Sequence, residues 1–133
     1  MTRAMNEVEL DRLERFSFGD SSSLAESLLA LVLSGEKTAT CWDAALGPQT
    51  EVGKLMVACD GLGRPRAVLR TEVMVLRRFC DVSDEFARKE GEGDLTLGWW
   101  RKAHEGYFRR NGHFNAEMML WCEEFSLVGR VVD

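Results

Sequence analysis

The spacing of leucines predicts one strongly buried helix in the first third of the chain. From Leu24 onward, leucines recur at i, i+4 and i+7, and further apolar residues widen the stripe. The polar run 20–23 supplies several N-cap candidates, and Ser23 has capping-box spacing with Glu26. Gly35 is placed to end the helix in the left-handed conformation. We therefore expect a helix that is buried over most of its surface.

Alternating apolar and polar positions predict four core strands, over residues 38–42, 55–59, 65–79 and 118–128. The Asp-Gly-Leu-Gly run at 60–63 is typical of a hairpin turn between the second and third of these strands. The third strand is the longest, and one of its faces is predicted to carry Ala67, Leu69, Thr71, Val73 and Val75. A strand of this length usually bends, as the strands of barrels do.

Two helices are predicted between the third and fourth strands. The first covers residues 83–89, with Ser83 as its N-cap. The second covers residues 95–111, with Asp94 as its N-cap and Gly112 at its end. Its inner face is predicted to carry Leu97, Trp100, His104 and Phe108. Weaker patterns suggest a short helix over residues 6–14 and an extended piece over residues 16–18.

The order of these elements excludes a doubly wound parallel sheet, because no strand–helix–strand series recurs. We expect an α+β fold in which a small, mostly antiparallel β-barrel has helices packed outside it. The chain has no internal repeats or linkers, so residues 1–133 are expected to form a single domain.

Composition and charge limit the kinds of partner that the protein is expected to bind. The chain has 133 residues, of which 45% are hydrophobic and 29% charged, as in an ordinary soluble domain. A formal net charge of −5 argues against a strongly basic nucleic-acid binder, although a local basic patch stays compatible with it. No signal-peptide pattern occurs, and the longest apolar run, residues 28–33, is too short to cross a bilayer. These features predict a cytoplasmic protein with no membrane partner.

The four cysteines do not suggest a metal centre. They are scattered in or beside apolar segments, with no Cys-x-x-Cys pair and no Cys/His cluster. We therefore expect reduced, mostly buried thiols, no structural zinc and no cofactor.

The segment 34–41 is the first candidate for chemistry. In a strand, Thr38 and Thr40 share one face, while Lys37 shares the other with residues that would face the core. A cation and two hydroxyls near a helix end could hold an anion or polarise a carbonyl group. The alternative is a solvated lysine in a loop, followed by two ordinary strand threonines.

The acidic segment 90–94 is the second candidate. Glu90 or Glu92, placed near Lys37, could act as a general base if burial raised its pKa. Together with Asp94 they could also hold a divalent cation such as magnesium. The alternative is a solvated acidic loop in which Asp94 only caps the next helix.

Glu123 is unusual because a regular strand would point it towards the core. A buried charge needs a partner, which could be Lys37 or an arginine inside a pocket. A bulge at residues 123–124, or a strand end that lines a rim, would explain the same pattern.

The second predicted helix offers weaker candidates. His104 is interpreted as a histidine at the edge of the buried face. The aromatic residues of this helix could stack on bases, although aromatic residues at helical spacing usually belong to a core. Its basic side is weak support for phosphate contact and carries Arg101, Lys102, Arg109 and Arg110.

Nearly the whole chain resembles the ASCH (ASC-homology) domain family, in particular the bacterial stand-alone ASCH proteins. The segments that carry the resemblance are, in order, residues 16–20, 28–41, 52–54, 60–65, 70–73, 90–94, 99–104 and 122–125. They include Ser-Gly-Glu-Lys-Thr-Ala-Thr at 34–40 and Glu-Gly-Glu-Gly-Asp at 90–94. The resemblance implies a PUA-like β-barrel whose cleft is lined by the Lys-Thr segment, and a role with RNA or modified nucleosides.

One branch of the family is similar to a small acetylcytidine amidohydrolase, and another shows ribonuclease activity. In the amidohydrolase, the lysine and the second threonine of a Lys-Thr-x-Thr motif are catalytic, which corresponds here to Lys37 and Thr40. A later glutamate corresponds best to Glu90, with Glu92 as the other candidate because this loop is longer. The residues expected to contact substrate are Thr38, Arg70, Glu92 and Glu123.

The sequence therefore supports three hypotheses. The first is an amidohydrolase that removes an acyl group from a modified cytidine. The second is an RNA-binding module, with or without metal-dependent ribonuclease activity. The third is a non-enzymatic binder of a nucleotide-like metabolite.

Overall fold

A six-stranded mixed sheet forms the frame of the protein. The structure is a computed structural model that describes residues 3–5 and 10–131. The strands are β1 (Arg3–Met5), β2 (Glu14–Phe16), β3 (Ala39–Asp43), β4 (Leu55–Cys59), β5 (Pro65–Arg78) and β6 (Met119–Val131). The helices are α1 (Ser22–Ser34), α2 (Asp84–Glu90) and α3 (Leu97–Arg110), with short 3-10 turns at Ala44–Leu46 and Phe79–Asp81.

The strand order is β1-β6-β5-β4-β2, and β3 also pairs with β6. The β3–β6, β4–β5 and β5–β6 pairs are antiparallel, whereas β1–β6 and β2–β4 are parallel. The result is a half-barrel with three helices on it. The predicted α+β, PUA-like fold with a mostly antiparallel sheet is confirmed.

The long strand β5 bends, as expected for its length. Its register with β6 shifts between Val68 and Leu69 and again between Thr71 and Val73. The second shift leaves Glu72 without a partner in β6, so the alternation of faces changes there. Thr71 is buried but Val73 is 36% exposed, and the predicted uninterrupted face from residue 67 to residue 75 is therefore wrong.

One of the predicted helix caps, that of α3, is wrong. Ser21, within the predicted run of candidates 20–23, caps α1, because its hydroxyl accepts from the Leu24 N–H at 3.1 Å, and Ser23 is not the N-cap of a capping box. Thr96, rather than Asp94, caps α3, and the Asp94 carboxylate instead accepts hydrogen bonds from Thr96. Within such polar runs every serine, threonine and aspartate can cap, so the choice depends on where packing starts the helix.

The remaining local predictions fare better. Ser83 caps α2 and Gly35 ends α1 with φ 86°, both as predicted. The turn at residues 60–63 joins β4 to β5 in an antiparallel hairpin, as predicted. Of the predicted helix over residues 6–14, residues 6–9 lie outside the described residues, and Glu14 belongs to β2.

Three apolar clusters fill the space between sheet and helices. The first joins α2 and α3 to the β3–β6 pair, with Trp100 and Leu120 at its centre. The second packs α1 against β4, β5 and β6, and the third surrounds Leu10. The four cysteines are free thiols, and Cys59 and Cys122 among them are buried. Lys37 lies between α1 and β3, at the point where the first two clusters approach each other.

Candidate functional site

Lys37 is a buried cation, only 1% exposed. Its Nζ donates to Glu90 Oε1 at 2.9 Å and to Glu92 Oε2 at 2.7 Å. A third, longer hydrogen bond reaches the Glu90 carbonyl at 3.3 Å. The alternative of a solvated lysine is therefore wrong, and both candidate glutamates reach the same ammonium group.

A glycine at the end of α2 makes this arrangement possible. Gly91 ends the helix in the left-handed conformation, with φ 71°. A Cβ at this position would lie 2.3 Å from the Glu36 carbonyl oxygen. The backbones are joined directly, since the Thr38 N–H donates to the Lys89 carbonyl at 2.7 Å. This close contact places the carboxylates at positions 90 and 92 around Lys37.

Lys37 and Glu90 each stabilise the other's charge. Burial alone would lower the pKa of Lys37, but the Glu90 and Glu92 carboxylates outweigh it and raise that pKa. Burial would likewise raise the pKa of Glu90, but Lys37, His104 and the Trp100 N–H hold it well below its ordinary value. Glu90 is therefore an ionised partner of Lys37 and not a carboxyl whose pKa burial has raised.

The second oxygen of Glu90 connects the site to α3. Glu90 Oε2 accepts from Trp100 Nε1 at 2.7 Å, and His104 Nε2 lies 3.5 Å from the same oxygen. His104 Nδ1 lies 2.9 Å from the Trp100 carbonyl, which can only accept, so Nδ1 carries a proton. His104 therefore belongs to the site, whereas the sequence suggested only a histidine at the edge of a face.

A cavity of about 160 Å³ opens beside this cluster. We call it the Lys37 cavity. The polar side chains that line it include Lys37, Thr40, Glu90, Glu92 and His104. Phe18 and Tyr107 are among its apolar lining residues. Three predicted catalytic residues from β3, α2 and the segment between α1 and β3 thus share one concavity.

Two other predicted substrate contacts lie elsewhere. Thr38 is exposed, and its hydroxyl lies 3.4 Å from the Lys89 carbonyl. Arg70 is exposed on β5 and pairs with Glu72 at 2.9 Å. Neither residue lines the Lys37 cavity or the cavity beside it.

Glu123 lines a second cavity, of about 210 Å³, which we call the Glu123 cavity. The two cavities share Phe18, Gly19, Thr40, Cys41 and Tyr107. Glu123 is only 9% exposed, and its Oε2 accepts from the Thr71 hydroxyl at 2.7 Å. Burial raises the pKa of Glu123, which the Thr71 hydrogen bond and Lys37 offset only in part. The bulge proposed at residues 123–124 lies instead on the facing strand β5.

The three-carboxylate cation site, one of the alternatives for the acidic segment, does not form. Glu90 and Glu92 bind the Lys37 ammonium, and Asp94 binds Thr96. Among the described residues, the group with donor atoms close enough for a metal is Cys41, Glu90 and His104, whose atoms lie within 4.8 Å of one another. Burial, followed by the nearby Glu90 carboxylate, raises the pKa of the Cys41 thiol well above its ordinary value, so this donor is protonated.

A family model of the ASCH domain matches residues 14–129. The chain belongs to the ASCH-domain family. This match confirms the resemblance found in the sequence, and it includes every candidate residue named above.

Two crystal structures of similar proteins have the same fold. One is the ASCH domain from Lactobacillus crispatus JV V101, with a TM-score of 0.80 and 28% identity over 92% of this chain and 86% of that one. The other is a protein from Enterococcus faecalis V583, with a TM-score of 0.81 and 29% identity over 93% of this chain and 85% of that one. No protein of curated function matches the chain at a significant level.

Within the described part of the chain, every helix is too short or too polar to cross a bilayer.

Proposed function

We propose that the Lys37 cavity hydrolyses an amide on a nucleoside, and most concretely that it removes an acyl group from a modified cytidine. The observation that carries this proposal is the buried Lys37 ammonium, held by two carboxylates beside Thr40 in a shared cavity. Pre-oriented charge at a cavity wall is a common means of stabilising the oxyanion of acyl transfer.

Lys37 acts in this mechanism as a cation. Its raised pKa keeps the ammonium protonated, and its three N–H groups already donate to Glu90 and Glu92, so it stabilises the oxyanion on the acyl carbonyl through its charge and does not serve as the base. Thr40 supplies the hydroxyl that attacks this carbonyl or orients the attacking water. If Thr40 attacks, its oxygen bonds to the acyl carbon as the carbon–nitrogen bond breaks, the amine leaves with the hydroxyl proton, and water then hydrolyses the acyl-threonine ester to the carboxylic acid and free Thr40. If water attacks instead, it adds directly to the acyl carbon and supplies the proton with which the amine leaves.

Proton transfer is assigned to the groups that face the cavity. Both oxygens of Glu90 are engaged, by Lys37 and by Trp100, so Glu90 orients the ammonium. His104 keeps its Nδ1 proton on the Trp100 carbonyl, which leaves Nε2 to exchange a proton with substrate or water. Glu92 is the more accessible carboxylate, at 15% side-chain exposure.

The test compares two threonines of the same motif. Thr40→Val should lower the turnover of acetylcytidine by about 100-fold or more, since it removes the hydroxyl and keeps the shape of the side chain. Thr38→Val is the matched control and should retain the wild-type rate, because Thr38 is exposed and outside the cavity. Turnover is measured as cytidine released, together with the thermal unfolding of each variant. A Thr40→Val enzyme with the wild-type rate would eliminate this mechanism.

RNA binding without hydrolysis is the second candidate function, because ASCH domains are proposed to bind RNA. The exposed basic side of α3 supports it, with Arg101, Lys102, Arg109 and Arg110. However, Arg109 is paired with Glu105 and Arg110 with Asp20. This neutralisation favours a single nucleoside over a long RNA tract, and the same cavity would also serve a non-enzymatic binder of such a ligand.

A further inference from the structure

We propose that the Glu123 cavity binds a flat heteroaromatic ring that carries an amino group, and that Glu123 Oε1 accepts a hydrogen bond from that group. This inference adds a substrate contact to the proposed function. It rests on the proposed function only for the acyl group on the amino nitrogen. The binding of the ring itself follows from the walls and floor of the Glu123 cavity.

The walls of the cavity are aromatic. Phe16, Phe18, Trp42 and Tyr107 all line it. The Trp42 indole N–H donates to the Gly47 carbonyl at 2.9 Å, so the ring is held in place and its only donor is used. Aromatic faces such as these favour a flat ring that stacks.

The orientation of Glu123 is set by a short chain of hydroxyl groups. The single proton of the Thr71 hydroxyl goes to Glu123 Oε2 at 2.7 Å. The Thr50 hydroxyl, 2.8 Å from that of Thr71, must therefore donate to it. Both hydroxyl protons are used within the protein, which leaves neither of them for a ligand and holds the carboxylate in one orientation.

The other carboxylate oxygen is available to a ligand. Glu123 is 91% buried, yet Oε1 has no hydrogen-bond partner among the described residues. Among those residues, every side-chain oxygen or nitrogen that is completely shielded from solvent has a hydrogen-bond partner. Because Oε1 has no partner, it is not completely shielded, and it is open to the cavity that Glu123 lines. In its ionised form, which the Thr71 hydrogen bond and the Lys37 charge favour against burial, Glu123 can only accept at Oε1, so this oxygen favours an N–H group and repels a carbonyl oxygen.

The sheet register links this oxygen to the Lys37 cavity. Glu123 is directly opposite Thr40 in the β3–β6 pair, and side chains at such positions stand about 5 Å apart at Cβ. Thr40 lines both cavities. A ring whose amino nitrogen meets Glu123 Oε1 would therefore direct an acyl group on that nitrogen past Thr40 towards Lys37.

Cytidine and uridine test this assignment, because they differ at one ring position in carrying an amino group or a carbonyl group. Calorimetric titration of the wild-type protein should show cytidine binding about 10- to 100-fold more tightly than uridine, as expected for one hydrogen bond to a buried charge. Glu123→Gln keeps an acceptor for Thr71 and turns an amide N–H₂ into the cavity. This variant should reverse the preference, so that uridine binds more tightly.

Glu124→Gln is the matched control. It is the same substitution on the next residue, whose carboxylate binds Lys89 at 2.9 Å and lines neither cavity. It should leave the preference for cytidine unchanged. Equal binding of both nucleosides by the wild-type protein, binding of neither, or an unchanged preference in Glu123→Gln would overturn the assignment. If Glu123→Gln does not fold, the wild-type comparison decides alone.

The two proposals fail in different experiments. Selective cytidine binding without turnover of acetylcytidine removes the catalytic proposal and keeps this one. Turnover of acetylcytidine without discrimination between cytidine and uridine removes this proposal and keeps the catalytic one.

Discussion

At the scale of single residues, Lys37 is the buried cation to which both carboxylates of the Lys37 cavity bind. It is buried with two carboxylates, and Lys37 and Glu90 each depend on the opposite charge beside them to remain ionised. Removing the lysine would leave Glu90 and Glu92 close together with no cation between them. The structure therefore predicts that changes at Lys37 affect folding before they report on catalysis.

Lys37→Met should lower the free energy of unfolding by about 3–5 kcal/mol, the range expected when one partner of a buried ion pair is removed. Urea denaturation at pH 7 measures this loss. Lys54→Met is the control, because Lys54 pairs with the largely exposed Glu14 and should lose less than about 1 kcal/mol. Equal losses in both variants would contradict the central role assigned to Lys37.

Glu90 should also give the protein a specific dependence on acid. An unfolded glutamate has its pKa near 4.5. In folded Glu90, burial alone would raise the pKa, but the charges of Lys37 and His104 and the hydrogen bonds from Trp100 and Lys37 outweigh burial and lower the pKa to about 2. Between these values the unfolded chain binds more protons, so the contribution of Glu90 to stability is present above pH 4.5 and lost as pH falls towards 2.

Glu90→Gln removes this dependence. The difference in free energy of unfolding between wild type and variant should shrink as the pH falls from 4.5, by at most about 1.4 kcal/mol per pH unit. Urea titrations of both proteins across that interval measure it. A difference that stays constant over the interval would show that Glu90 is not an ionised partner of Lys37.

At the scale of elements, the end of α2 and the start of β3 form one unit. Gly91 allows the backbone of α2 to touch that of Glu36, and the Thr38–Lys89 hydrogen bond closes the contact. The helix thereby delivers Glu90 from its last position and Glu92 from the turn that follows. The acidic loop is therefore a structural part of the site and not a solvated connection.

Gly91→Ala should destabilise the protein more than Gly35→Ala does. Both glycines have positive φ, and each alanine costs about 1–2 kcal/mol for that conformation. At Gly91 the added Cβ would also lie 2.3 Å from a backbone oxygen, while at Gly35 it would meet nothing within 4 Å. Overpacking of this kind typically costs about a further 1–3 kcal/mol. Urea denaturation of both variants checks the order, and equal losses would contradict it.

At the scale of the whole molecule, charge and cavity shape point to a small ligand. The net charge is −5, and two arginines on the basic side of α3 are already paired with acidic residues. The two adjoining cavities together offer an aromatic wall, a buried carboxylate and a buried ammonium. A nucleoside can use all of these groups, whereas an extended phosphate backbone uses few of them.

Binding of a short single-stranded RNA should therefore depend only weakly on salt. The slope of log affinity against log salt concentration should correspond to no more than about two phosphates. Fluorescence anisotropy at salt concentrations between about 50 and 200 mM measures the slope. A steep slope, equivalent to about six phosphates or more, would favour the RNA-binding candidate over the nucleoside hydrolase.

Much of the site was visible in the sequence. Lys37, Thr40, Glu90 and Glu92 carry polar groups at the ends of apolar segments, and the family resemblance named the same positions. Glu123 was found from its parity in an apolar strand. His104 was underestimated, because a histidine four residues after a tryptophan on an apolar helix face is compatible with simple core packing. Arg70, predicted as a substrate contact, is exposed because it alternates along β5 with the buried Leu69 and Thr71, and it pairs with Glu72.

The sequence by itself determined the three helices, the four longer strands, the α+β class and the family, because these depend on local periodicity and on motifs that are contiguous in the chain. Tertiary structure alone decided that Lys37 is fully buried, that both glutamates bind it, and that Thr40 faces Glu123. These facts depend on contacts between residues more than 50 positions apart in the chain, such as Lys37 with Glu90. The protonation of the site follows from those contacts, since burial and neighbouring charge set a pKa and neither can be deduced from local pattern.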